Sequence, residues 1–181
     1  NGIEMGVESI FKEANQIAGR HGVGIGTHVI ENRYVGVKSR GIYESPAMEM
    51  LGQIYEYLLQ FVLDRRARNL FNNISQILSS QIYDGYWFDL ATTSILQALK
   101  PINQVCSGEI SVRIYKGKVL FDKAKDISQS LYSNDSSMES VGDYNHADAE
   151  GFLNILGVSA KNYGVQQLDL LNEFRDDQTI S

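Results

Sequence analysis

The stretch that begins at Pro46 constrains the fold most, because its apolar residues recur every three or four positions. Pro46 suits the first turn of a helix, where its missing N–H has no partner to lose. The spacing predicts a helix from Pro46 to about Asp64, then a second helix or a bent continuation from about Leu70 to Ile82, which Asp84-Gly85 would stop. The apolar stripe of the first helix comprises Leu51, Ile54, Tyr55, Leu58, Leu59 and Val62.

Three further segments have helical spacing. Residues 6–19 carry an apolar face with charged residues between its positions, which predicts an amphipathic helix. Leu90 to Leu99 predicts another, and we expect Pro101 to end it. From Gly151 onward the apolar spacing returns, so the C-terminal stretch is predicted to be helical as well.

The remaining ordered segments have the alternation of strands. His28–Ile30 and Tyr34–Lys38 predict two short strands around a turn at Glu31–Arg33. Residues 110–121 alternate on either side of Lys116-Gly117, which predicts a β-hairpin. The expected fold class is therefore α+β, in which a small antiparallel sheet packs with several helices and a C-terminal helical arm is added.

Charge and cysteine content exclude several classes of function. The chain has 181 residues, with 16 Lys and Arg against 22 Asp and Glu, a net charge of −6. Such a field repels phosphate backbones and anionic lipids, so we expect no nucleic acid and no membrane as partners. Cys106 is the sole cysteine, which excludes an internal disulfide and favours a cytoplasmic location. The three histidines lack the spacing of a metal motif, and no metal site is predicted.

Two motifs suggest chemistry but favour a structural role. Gly22–Gly26 is glycine-rich enough to approach a phosphate, yet it follows a predicted helix and enters a strand, the reverse of a dinucleotide-binding loop. A structural turn is the favoured interpretation. Cys106 ends an apolar run, where a buried inert thiol is commoner than a nucleophile. No catalytic residue is assigned to the chain.

Charged residues are dense between positions 31 and 40, close to the expected core. They are Glu31, Arg33, Lys38 and Arg40. Charges are costly to bury unless they are paired or bind a ligand. The pattern is therefore typical of a paired structural network, of a polar ligand site, or of solvated strand edges whose charges prevent edge-to-edge pairing.

The same region resembles one enzyme family. Gly19-Arg20-His21-Gly22, Glu31-Asn32-Arg33 and Lys38-Ser39-Arg40-Gly41-Ile42-Tyr43-Glu44 are similar to the C-terminal half of the argininosuccinate synthases. Further motifs follow in the family's order, and the resemblance covers most of residues 8–156. Those motifs are Gly85-Tyr86-Trp87-Phe88, Gly108-Glu109-Ile110, Tyr115-Lys116-Gly117, Ser130-Leu131-Tyr132 and Asp143-Tyr144.

The resemblance implies an ATP-dependent ligase that joins citrulline to aspartate in arginine biosynthesis. ATP adenylates the ureido oxygen and releases pyrophosphate, and the amine of aspartate then displaces AMP. Glu31 and Tyr43 match family positions that contact citrulline. A carboxylate suits the ammonium group of citrulline, and a phenol can donate or accept a hydrogen bond.

Two departures from the family qualify this expectation. The segment before Glu31 carries one extra residue and lacks the acidic residue usual there. The family's Ser-Gly-Gly-Leu-Asp-Thr-Ser pyrophosphate loop is absent from the sequence. ATP (with Mg, as a co-substrate) and most aspartate contacts would then belong to a missing N-terminal nucleotide-binding domain, so we expect this chain alone to bind no cofactor and to be inactive.

The resemblance also implies a domain division and an assembly. Residues 1–156 would be the synthetase domain and residues 157–181 an oligomerisation arm, with residues 165–174 wrapping a neighbouring subunit of a homotetramer. A helix folded back on its own domain is the alternative for this last segment. Two other interpretations of the chain remain open, a non-catalytic self-association module and an unrelated amino-acid-binding domain.

Overall fold

The structure is a computed structural model that describes residues 4–133 and 146–166. It divides into two compact units, Asn1–Tyr132 and Ser133–Ser181. The strands pair as two separate antiparallel hairpins, β1 with β2 and β3 with β4. The α+β class is thus confirmed, with two small sheets in place of one. In chain order the elements are α1 (Val7–Arg20), β1 (Ile25–Asn32), β2 (Lys38–Glu44), α2 (Pro46–Val62), α3 (Arg65–Tyr83), α4 (Leu90–Val105), β3 (Glu109–Tyr115), β4 (Lys118–Lys125) and α5 (His146–Gln166).

The predicted helix from Pro46 is confirmed, and α3 is a separate helix rather than its continuation. Leu63 is extended, with φ −108° and ψ 129°, so the chain leaves the helix there. Asp64 starts the next helix by accepting a hydrogen bond from the Ala67 backbone N–H at 2.7 Å. That bond, more than any other contact, lowers the pKa of the Asp64 carboxyl. The N-cap explains why α3 begins before Leu70, the first residue of the apolar pattern.

The expectation that Pro101 ends α4 is wrong, since the helix runs through it to Val105. A proline inside a helix removes one backbone hydrogen bond. Ile102, the next residue, is buried against Leu59 and Leu99. Continuing the helix keeps that apolar contact, which offsets the lost bond.

The predicted turn at Glu31–Arg33 is also wrong, because β1 continues to Asn32 and the chain reverses later. The strand predicted over Tyr34–Lys38 is wrong as well, since residues 34–37 form the turn and β2 runs from Lys38 to Glu44. The Arg33 N–H donates to the carbonyl of Val37, and the Gly36 N–H donates to that of Arg33, both at 2.9 Å. Gly36 has φ +79°, a conformation that favours glycine. The reversal therefore occurs where glycine permits it, although the most polar residues precede it.

Two clusters of buried residues form the core of the first unit. The first joins α1 to α2 and includes Ala14, Ala18, Val23, Ala47 and Met50, with Ile114 and Val119 of the second hairpin packed against it. The second joins α2 to α3 and α4 and is centred on Leu59, Leu99 and Ile102. Since α2 contributes to both clusters, it is the element around which the first unit packs.

The second unit contributes α5, which begins before Gly151 and confirms the predicted C-terminal helix as far as Gln166. This helix runs across positions 156 and 157, where the domain division was expected. Residues 167–174 of the expected arm lie outside the described residues, and the arm stays a prediction. None of the described helices is long and apolar enough to cross a bilayer.

Candidate functional site

A cleft of about 410 Å³ lies at the base of the β1–β2 hairpin. It is lined by glycines of the turn between α1 and β1, by Tyr43, Ser45 and Glu49, and by Gly117 of the second hairpin. The Ser45 N–H donates to the carbonyl of Gly24 at 2.9 Å, which joins the end of the hairpin to the glycine turn. The Ala47 N–H donates to Asn15 Oδ1 at 2.8 Å, so the start of α2 is fixed on α1. The cleft is thus built on anchored backbone.

Tyr43 lies on β2 opposite Gly26 and shares one face of the strand with Ser39 and Gly41. Its ring lies back along the strand over Gly41. A Cβ added at Gly41 would stand 2.6 Å from Tyr43 Cε2 and 2.7 Å from its hydroxyl oxygen. The absence of a side chain at position 41 therefore lets the hydroxyl extend along β2 toward Ser39.

The register places Glu31 opposite Ser39, on the face that Tyr43 occupies. A β-bulge between His28 and Glu31 sets this register, because two residues of β1 there stand opposite Arg40. Without the bulge the same sequence would pair Glu31 with Lys38 on the other face. The side chain of Glu31 is outside the described part of the structure, so its contact with citrulline stays a prediction.

The charged segment is joined across the hairpin on the same face. Arg33 Nε donates to Ser39 Oγ at 2.8 Å, and Ser39 is the partner of Glu31 in the register. Arg33 and Arg40 are exposed at the surface. The arrangement is compatible with a polar ligand site whose cationic side chains reach solvent.

Glu49 is a cleft residue that sequence reasoning missed. It lies in the first turn of α2, where a carboxylate interacts favourably with the helix dipole. It lines the cleft together with Tyr43, and it also lines an adjoining cavity of about 240 Å³ with Gln53 and Lys118. An acidic residue three positions after a helix-starting proline, close in sequence to Tyr43, was the signal that could have identified it.

The glycine turn has the geometry of a structural turn, as the sequence analysis favoured. Gly22 and Gly24 have φ of +71° and +77°. A Cβ added at Gly24 would lie 2.7 Å from the backbone N and Cα of Pro46, so the space beside this glycine is filled by the start of α2. Within the described ranges, no group of three His, Cys, Asp or Glu residues could hold a metal ion.

Cys106 lies at the edge of the second core cluster and is half-buried, less enclosed than its apolar run suggests. Its neighbour Tyr55 donates a hydrogen bond to Asn103 Oδ1 at 2.8 Å. Burial, and next the hydrogen bond with Cys106, raise the pKa of the Tyr55 phenol. These contacts place Cys106 in the packing of α2 against α4.

Comparison with known proteins agrees with the motifs. A family model described as the arginosuccinate synthase C-terminal domain matches residues 1–163. An argininosuccinate synthase of Agathobacter rectalis is 34% identical over 175 residues, which are 96% of this chain and 42% of that protein. One from Ehrlichia chaffeensis is 37% identical over 164 residues, 90% of this chain and 41% of that protein. One from Xenopus laevis is 36% identical over 156 residues, 86% of this chain and 38% of that protein.

The chain spans about two fifths of the length of these curated relatives. The family match extends over the glycine turn, both hairpins and helices α1 to α4. It includes Glu31, Tyr43 and the cleft beside Tyr43. The chain therefore belongs to the argininosuccinate synthase family, within which it corresponds to the C-terminal domain.

Proposed function

We propose that this chain supplies part of the citrulline site of an ATP-dependent ligase of arginine biosynthesis. The register of the β1–β2 hairpin is the observation that carries the proposal, since it assigns Glu31 and Tyr43 to one face. The cleft beside Tyr43 adds Glu49 and the hydroxyl of Ser45. A small zwitterion meets acidic and hydroxyl groups there.

Citrulline carries an ammonium group, a carboxylate and an uncharged ureido end. The carboxylate of Glu31 accepts hydrogen bonds from the ammonium group, and the phenol of Tyr43 donates to or accepts from a polar atom of the same molecule. Glu49, which lines the cleft together with Tyr43, adds a negative charge that favours a cationic group there. These groups position the ureido oxygen for adenylation, and none acts as a nucleophile.

In this proposal ATP, magnesium and most aspartate contacts belong to the part of the enzyme that lies beyond the matched region. The pyrophosphate loop of the family is not among these 181 residues. We therefore expect no turnover from the chain alone. A coupled pyrophosphate-release assay with ATP, citrulline and aspartate checks this, and turnover comparable with that of a full-length relative would contradict it.

Titration of the isotope-labelled chain with citrulline, followed by NMR, tests the site itself. We expect shifts at Gly41, Tyr43 and Glu49, with weaker responses in Glu31→Gln and Tyr43→Phe because each loses a hydrogen-bonding group. Tyr115→Phe is the matched control, since this exposed tyrosine lies on the other hairpin. Equal responses in Tyr43→Phe, Glu31→Gln and the wild type would refute the site.

A self-association module is the second candidate, and the exposed apolar residues of α5 favour it. They are Phe152, Leu153, Ile155, Leu156 and Val158. We propose a homotetramer in which residues 157–181 form the arm. Sedimentation of Leu168→Asp/Leu171→Asp should show a smaller assembly, whereas Glu31→Gln should keep the mass. If Glu31→Gln changed the mass and left the citrulline response intact, the structural module would replace the ligase site.

A further inference from the structure

The tip of the β1–β2 hairpin meets the turn between α3 and α4 through a pair of tyrosines. The hydroxyl groups of Tyr34 and Tyr86 share a hydrogen bond. Their ring centroids are 6.0 Å apart and the ring planes are at 82°, an edge-to-face arrangement. Two residues distant in the sequence are thus joined by both a polar and an aromatic contact.

Tyr86 is the fixed partner of this pair. Its N–H donates to the carbonyl of Gln81 at 2.8 Å. Its own carbonyl accepts a hydrogen bond from Thr92 Oγ1 at 2.7 Å, and Thr92 is fully buried. The backbone of Tyr86 is therefore held by α3 and α4, whereas Tyr34 lies in a turn and is 64% exposed.

The tyrosine pair links the hairpin to the rest of the first unit at a point far from the anchor at its base. The sheet has two strands, and its base is anchored where Ser45 bonds to Gly24. Beneath the tip lies a cavity of about 360 Å³ lined by Arg33, Tyr34, Ser79, Ser80, Tyr83 and Asp84. The tyrosine pair therefore joins the hairpin tip to the α3–α4 turn beside this cavity.

We propose that Tyr34 and Tyr86 are positioning residues that tether the hairpin tip and thereby hold Glu31 in place for citrulline. Glu31 lies three positions before Tyr34, at the end of β1 nearest the tip. Its role in binding rests on the proposed function, whereas the tether rests on the contacts alone. Neither tyrosine touches the substrate.

The test compares Tyr34→Phe, Tyr86→Phe and the double variant of the full chain with Tyr83→Phe. Tyr83 lines the same cavity but is outside the pair, so its variant removes a hydroxyl without breaking the tether. The probes are the amides of Arg33 and Gly36, which close the turn, with Ser45 at the base as reference. The measured quantity is the rate of amide hydrogen exchange with solvent. Loss of one hydrogen bond should raise this rate at the tip on the order of two- to tenfold.

The double variant should exchange no faster than either single one, because both remove the same bond. The hydrogen bond with Tyr34 raises the pKa of the Tyr86 phenol, so its titration should shift toward lower pH in Tyr34→Phe. Citrulline should bind several-fold more weakly to Tyr34→Phe than to Tyr83→Phe. If Tyr86→Phe fails to fold, Tyr34→Phe alone still gives all three readouts.

Equal exchange in Tyr83→Phe and Tyr34→Phe, additive effects in the double variant or an unchanged titration of Tyr86 would overturn the tether. If the tether holds but citrulline binds Tyr34→Phe and the wild type equally, the positioning role is refuted. If the wild type does not respond to citrulline, the proposed function fails. The exchange and titration results then judge the tether separately.

Discussion

The two hairpins have similar length and antiparallel pairing, but they are held in different ways. The β3–β4 hairpin packs along α2, where Tyr57 donates a hydrogen bond to the carbonyl of Val119 at 2.9 Å and its ring meets Phe121 edge-to-face at 5.4 Å. The β1–β2 hairpin is anchored at its base and at its tip, and most of its described side chains are exposed. The first hairpin thus keeps most of its described side chains accessible to solvent, whereas the second is fixed to α2 by side-chain contacts.

The largest expected difference between the hairpins is in stability, when one isoleucine on each hairpin is truncated to alanine. Ile114 packs against the first core cluster, whereas Ile42 on β2 is 64% exposed. Ile114→Ala should lower the free energy of unfolding by about 2 kcal/mol or more, because it leaves a cavity. Ile42→Ala should change it by less than about 0.5 kcal/mol. Urea denaturation measures both, and comparable losses would remove the distinction between the hairpins.

A smaller change in stability but a clear change in binding is expected from Gly41→Ala. The added methyl group would collide with the Tyr43 ring and displace its hydroxyl. We expect citrulline binding to weaken on the order of tenfold, since misplaced groups lose much of their effect. Calorimetry or NMR titration gives the affinity.

Gly52→Ala is the control for that substitution. Position 52 lies in α2 with open space around it, so alanine there should stabilise the helix by about 0.5–1 kcal/mol. Citrulline affinity should not change. Should Gly41→Ala bind as tightly as Gly52→Ala, the placement of Tyr43 over Gly41 would have no role in binding.

The contacts at the two hairpin tips should respond differently when the pH is raised. The pKa of Tyr86 is raised from the ordinary value of 10.0, so the protonated phenol is favoured by the folded state. The tether is complete below pH 10 and is lost as the pH rises through the raised pKa. The β3–β4 tip is held by a backbone bond from Gly117 to His21 at 2.8 Å, which does not titrate there.

NMR signals of Gly36 and Gly117 between pH 9 and pH 12 compare these tips. We expect Gly36 to follow the titration of Tyr86, whereas Gly117 should keep its hydrogen bond to the His21 carbonyl and its folded signal. In Tyr34→Phe the response of Gly36 should disappear. Replacement of the folded signals of both glycines by unfolded ones would indicate general unfolding instead.

The smallest effect is expected from deleting Ile30. This residue is 60% exposed and belongs to the bulge of β1. Removing one residue would leave a regular strand in which Glu31 still pairs with Ser39, so the citrulline response should be retained. Backbone NOE contacts between Glu31 and Ser39 measure the register. Loss of these contacts would show that the bulge does not accommodate the extra residue before Glu31 and that the register depends on Ile30.

Local signals predicted most of the elements, because each depends on a few neighbouring residues. The stripe after Pro46 predicted α2, and the alternation around Lys116-Gly117 predicted the second hairpin. Errors arose where distant contacts or a single glycine decided the outcome. The burial of Ile102 continues α4 past Pro101, and Gly36 moves the turn away from Glu31 and the start of the second strand to Lys38.

The site was predictable only in part for the same reason. Glu31 and Tyr43 were proposed as citrulline contacts from their motifs; the register assigns both to one face, and their contact with citrulline stays a prediction. Glu49 lines the cleft because the start of α2 is bonded to α1 and to the glycine turn. Both of these segments lie more than twenty residues before α2 in the sequence, so no local pattern indicates the contact. The contact between Tyr34 and Tyr86 likewise joins residues 52 positions apart, and no local sequence pattern predicts it.

The position of α2 in both buried clusters has a consequence for how the first unit loses its structure. If α1 or the second hairpin separates from the first cluster, α2 loses packing contacts on which the second cluster, with α3 and α4, also depends. We therefore expect residues 4–132 to unfold in a single cooperative transition. Probes in the first and second buried clusters should then show the same midpoint on heating, and again the same midpoint in urea.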